Sequence, residues 1–73
     1  MLSDRAFSKD VVELLLDFSD KLEKTVVAVK RVAPDEEFLA YRNAVGIVLA
    51  DVLTEFLNPI FRRHPDLKPK GFE

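Results

Sequence analysis

The sequence predicts an all-α fold: an antiparallel helical hairpin with a short C-terminal helical turn, two copies of which pair into a four-helix bundle. Three observations carry that prediction. Two long stretches, Lys9 to Val32 and Asp35 to Leu57, repeat their apolar residues at helical spacing. Only Ala33-Pro34-Asp35 interrupts them, and so short a connection leaves consecutive helices antiparallel. The second stretch is apolar over roughly 200° of its circumference, about twice the stripe that a single packed face requires.

The first helix is expected over residues 9–32, opening near Ser8 or Asp10. Asp10 and Glu13 have the spacing of a capping pair, and acids favour the positive end of a helix. Val11, Leu15, Phe18, Leu22, Thr25, Val29 and Val32 alternate steps of four and three, which holds them on one seam. Phe7, Val12, Leu14 and Val26 widen that seam to roughly 160°. The intrachain core is assigned to Val11, Leu15, Phe18, Leu22, Val26 and Val29. On the opposite face, Asp17 to Lys21 and Asp20 to Lys24 are acid-to-base pairs four residues apart, so the acidic stripe reads as a solvated surface. Calcium would need oxygen ligands from a loop, which helix interior does not supply.

Pro34 lacks an amide hydrogen and suits the first helical position, with Asp35, Glu36 and Glu37 filling an acidic first turn. The helix that follows, over 35–57, carries the surplus apolar arc. Its expected self-association face is Phe38, Tyr41, Val45, Gly46, Leu49, Val52, Leu53 and Phe56. Gly46 inside a helix costs about 1 kcal/mol against alanine, and its spacing from Ala50 suits the close approach of another helix. Ile47 falls toward the polar side and reads as an isolated exposed apolar residue. Arg42 is the one charge within the apolar arc. In an antiparallel hairpin it stands within about a turn of Glu23, so it either pairs with Glu23, pairs with an acid of another subunit, or extends to water over its aliphatic neighbours.

Asn58-Pro59 is expected to break the second helix, with Asn58 capping a short helical turn over about 59–64. Pro65, Pro69 and Gly71 then predict an irregular tail over 65–73. A different outcome for the same residues is a third helix and tail that fold back over the surplus and give a monomeric three-helix domain.

The whole chain, 1–73, reads as one domain: 48% of its 73 residues are hydrophobic and 33% charged. A core this small rarely supplies more than about 3 to 5 kcal/mol without a disulfide, a metal or a partner. There is no cysteine and only one histidine, which leaves oligomerisation as the source of further buried area. Met1-Leu2-Ser3-Asp4-Arg5 does not read as a signal peptide, and cytoplasmic residence is expected. The apolar run Ala44 to Ala50 stops at Asp51 and Glu55, short of the roughly 20 apolar residues of a bilayer span, so no membrane partner is expected.

No chemistry announces itself. The sequence has no cysteine nucleophile, no glycine-rich phosphate loop and no Glu-x-x-His pair, and no serine stands near His64. The expectation is a non-enzymatic interaction or regulatory module that needs no cofactor or metal and associates with its own copy as a homodimer, or with another protein. Two other functions have residues to support them. The basic segment Arg62, Arg63, His64, Lys68 and Lys70, with Phe72 as an apolar anchor, suits an acidic partner or nucleic acid, although the net charge of −2 gives no general pull toward phosphate. Alternatively, Ala44, Gly46 and Ala50 leave room in a bundle for a small apolar ligand.

Overall fold

A computed structural model describes residues 2–70, and these are all-helical, built from two long helical stretches. Helix α1 covers Arg5–Val32. It begins earlier than the Asp10–Glu13 spacing suggests because Asp4 is the better cap: its carboxylate accepts the Phe7 N–H at 3.0 Å. Ser8, expected near the start, lies instead inside the helix and is fully buried, its hydroxyl donating to the Asp4 carbonyl at 2.8 Å. At the other end Lys30 and Arg31 occupy the last turn, where cations complement the helix dipole.

Ala33 and Pro34 leave the helical region, with φ, ψ of −107°, 149° and −60°, 157°. Helix α2 then covers Asp35–Asp51, and Pro34 flanks it rather than opening it. The three acids fill its first turn as expected.

The largest departure from expectation follows. Pro59 does not break the helix. The chain passes from α2 into a π-helical turn, Val52–Leu57, and on into α3, Asn58–Arg63. Within an α-helix the proline ring would collide with the carbonyl four residues earlier; the wider turn pairs residues five apart, as where the Asn58 N–H donates to the Leu53 carbonyl. Asn58 therefore has helical dihedrals, −60° and −46°, and no capping role for its side chain. The slower rotation of the wide turn also changes which side chains point inward. Leu57 is 3% exposed, whereas the adjacent Phe56, expected on the self-association face, is 45% exposed in the single chain.

Helix therefore runs unbroken for 29 residues from Asp35 to Arg63. By length and composition alone that stretch is long and apolar enough to cross a membrane, with mean hydropathy 1.6 over its most apolar window, of which 28% is buried within the chain.

The second stretch lies against α1 with a consistent register. Near the turn the Thr25 and Tyr41 hydroxyls share a hydrogen bond of 2.5 Å. At the far end the His64 Nε2–H donates to the Leu2 carbonyl at 2.8 Å, since a carbonyl can only accept. His64 ends α3, and a 3₁₀ turn, Pro65–Leu67, folds back so that Arg5 Nε donates to Asp66 Oδ2 at 2.7 Å. The segment expected to be irregular is thus docked as far as Leu67, which packs on the core; Gly71 to Glu73 lie outside the described residues.

That core is concentrated near the chain ends. Val12, Val52, Leu57, Ile60 and Phe61 form one buried cluster, covered by Leu2, Val11, Leu15, Leu16, Leu53 and Leu67. Val12, on the edge of the expected seam, is at its centre, while Phe18 is exposed and Leu15, Leu22, Val26 and Val29 are half-buried. Toward the turn only Val45 is buried. The molecule is elongated, 45 × 20 × 16 Å, with a radius of gyration of 14.6 Å where about 11 Å is usual for this length.

Candidate functional site

The surface with most potential for recognition is an apolar groove along one side of the helix pair. Its upper part, about 290 Å³, is lined by Glu23, Val26 and Val27 of α1 and by Arg42, Val45, Gly46 and Leu49 of α2. A further 170 Å³ continues it past Leu16, Ser19, Val52, Leu53 and Leu57, with Glu23 and Leu49 common to both parts. Helical periodicity explains the α1 wall: Leu16, Ser19, Glu23 and Val27 follow at steps of three, four and four.

The groove sorts the residues expected to mediate self-association. Val45, Gly46, Leu49, Val52 and Leu53 all line it. Val45 and Val52 are nevertheless buried against their own chain, so they form its floor rather than a free surface. Phe38, Tyr41 and Phe56 lie elsewhere. The Phe38 ring is half-buried and has two cations beside it, Lys30 Nζ and the Arg42 guanidinium, each 5.7 Å from its centroid. Tyr41 is half-buried and tied to Thr25.

Gly46 has an informative environment. A Cβ built there meets nothing within 4 Å, so no contact inside the chain accounts for a glycine in this helix. Arg42 and Glu23 do lie on the same groove, as the hairpin register suggests, yet they form no ion pair. Arg42 stacks on Phe38 instead, one turn before it, where cation–π attraction accommodates the charge without desolvating it.

Exposed apolar surface is not confined to α2. Phe7, Leu14, Phe18, Val27 and Val32 of α1 are exposed, and Leu39, Ile47, Val48 and Phe56 of the second stretch. The surplus assigned mainly to the second helix is therefore shared. Ile47 is exposed as its angular position implies. In total the chain exposes 5399 Å², against about 4600 Å² for a compact monomer of its mass, an excess of about 800 Å².

The basic segment does not converge on one point. Arg62 and Lys68 line a surface pocket of about 310 Å³ with Asn58, Phe61 and Pro65. Arg63 shares the last turn of α3 with Arg62, where both complement the helix dipole. His64 is turned to the Leu2 carbonyl, and Lys70 is exposed beyond the 3₁₀ turn. Phe72 lies outside the described residues.

Electrostatics are those of a solvated surface. Lys21 pairs with Asp17 and Lys24 with Asp20, each at 2.9 Å, and the hydrogen bond that Lys24 donates to Asp20 raises the Lys24 pKa. The hydrogen bond from Arg5 holds the Asp66 carboxyl below its ordinary value. Among the described residues no three histidine, aspartate or glutamate side chains gather as a metal site.

The α1 wall of the groove is what sequence reasoning missed. Its periodicity is present, but Ser19 and Glu23 interrupt the apolar pattern and Val27 stands outside the seam of fours and threes. The clasp between the chain ends, Arg5 to Asp66, joins residues 61 apart and has no local signal. No family model, curated protein or solved structure matches this chain.

Proposed function

We propose that this chain is a small non-enzymatic interaction module, a single-domain helical hairpin whose role is exercised through association, first with a second copy of itself in a four-helix bundle. The excess of about 800 Å² of exposed surface carries this reading, since it matches what one partner contributes to a standard protein interface. The helices offer apolar surface and few convergent polar groups, which is the composition of an assembly face rather than of a catalytic pocket.

Light scattering across protein concentration tests the reading. The expected result is a dimer at micromolar concentration. A monomer throughout, with a melting temperature independent of concentration, would overturn it. Flotation with lipid vesicles is the companion measurement, because the stretch 35–63 has the length and hydropathy of a span; capture by vesicles would make lipid the partner in place of the second copy.

A second reading rests on Arg62 and Lys68, which share one pocket and suit an anionic partner. Binding to an oligonucleotide or acidic peptide would then weaken steeply as salt rises, and binding that ignores salt would exclude it. A ligand carrier is less well supported. The groove, in two parts of about 290 and 170 Å³, is open along its length, whereas ligand cavities enclose most of the ligand they hold.

A further inference from the structure

We infer that the groove is the seat of the second copy, and that Glu23 of each chain pairs with Arg42 of the other, so that both connecting turns lie at the same end of the bundle. This rests on the dimer reading and adds its face and its orientation.

Glu23 and Arg42 stand on opposite helices of one groove. The Thr25 to Tyr41 hydrogen bond sets the register, which places the acid and the base at levels within about one helical turn. Two hairpins stacked groove to groove can be related by a twofold axis running along the helices or across them. With the axis along the helices, each α1 lies over the partner's α2 at an unchanged level. Glu23 then faces the partner's Arg42, and the pairing occurs twice. With the axis across the helices, through that level, α1 lies over α1; acid meets acid and base meets base. Like charges brought together at an interface repel, so the charge pattern selects the first arrangement. Every neighbouring helix pair is antiparallel in either arrangement, as in an up-down bundle, so the charges alone distinguish the two.

The space between the charged rims suits this occupant. Val26, Val27 and Leu49 present aliphatic surface, and the open position at Gly46 gives a partner helix close access. Glu23 and Arg42 are exposed in the single chain and unpaired with each other, so neither must abandon an ion pair to meet a partner. Charges at such a rim act mainly on orientation and specificity, while the aliphatic walls, Val26, Val27 and Leu49, supply affinity.

The chain has no cysteine of its own, so a single Arg63→Cys variant takes one spin label near the end remote from the turn. Pulsed electron paramagnetic resonance gives the separation between labels, and light scattering on the same sample gives the mass. The inferred arrangement predicts a dimer with labels less than about 30 Å apart, roughly the width of the bundle. A dimer with labels separated by about 40 Å or more, comparable to the 45 Å length of the chain, would overturn the orientation and leave self-association standing. A monomer would overturn the dimer reading itself. Charge exchange tests the pairing separately. Arg42→Glu should weaken the dimer about tenfold or more, and adding Glu23→Arg should restore it. Circular dichroism confirms that each variant stays helical; failure of the second change to rescue a folded first variant contradicts the pairing.

Discussion

The two ends of this molecule are built from the same two helices and differ in what covers them. Near the chain ends, the π turn brings Leu57 and Ile60 inward, Leu2 and Leu67 add a further layer, and five apolar residues are buried together. Near the turn there are only two layers. Val26, Val29, Phe38 and Tyr41 are half-buried, and Val27 and Val32 are 59% and 85% exposed. A pair of helices buries one stripe of each; a core requires a third element. The chain supplies that element at one end and not at the other, which is the end where the proposed second copy would sit.

Substitutions can break or sharpen this contrast. The largest effect is expected at Ile60, which is fully buried. Ile60→Ala should cost about 2 to 5 kcal/mol in urea denaturation, through lost transfer energy and the cavity left behind. Val27→Ala, at the open end, should change the stability of the dilute chain by less than about 0.5 kcal/mol. Equal losses at the two sites would erase the distinction.

Next in size is Asp4→Ala, which removes the cap of α1 at the closed end and should cost about 1 kcal/mol by the same measurement. Gly46→Ala has the opposite sign. With nothing within 4 Å of the added carbon, it should stabilise the dilute chain by about 1 kcal/mol through helix propensity. At concentrations where copies pair, the gain should shrink or reverse, because the methyl group obstructs the partner; an undiminished gain would remove Gly46 from the contact.

The smallest effect belongs to the clasp. Arg5 holds the Asp66 carboxyl below its ordinary value of 3.8. The folded-state value is the depressed one, so the clasp contributes fully above 3.8 and is lost as pH falls through the lower, folded value. Asp66→Asn should lower the melting temperature slightly at neutral pH and lessen its fall in acid. Both groups are more than half exposed, which limits the size of the change. For Lys24 the shift is upward, so its pairing with Asp20 persists through neutral pH and is lost only as pH rises through the folded value, above 10.5.

Helical content was legible because it is local. The helix carrying the fours and threes, the break at Ala33 and Pro34 and the pairs Asp17 to Lys21 and Asp20 to Lys24 are all read within a few residues and form as expected, although Phe18 and Val32 of that seam are exposed. The π turn was not legible. Proline at 59 signals a break on propensity alone, whereas the wider turn both accommodates the proline ring and lets Leu57, Ile60 and Phe61 reach a core that lies far off in sequence. The groove was half legible. Its α2 wall follows from the apolar arc, whereas the α1 wall, with Ser19 and Glu23 among its residues, shows itself only when the opposing helix is in place.

Hydrogen exchange followed as a function of protein concentration tests the contrast most directly, because it reads the two ends separately. Amides of Ile60 and Phe61, and those around Val12, should exchange at rates that change little with dilution. Amides of Tyr41 to Leu49 should be protected at high concentration and lose that protection as the chain is diluted. Equal protection of both segments at every concentration would show that the open end needs no partner, and would contradict the account.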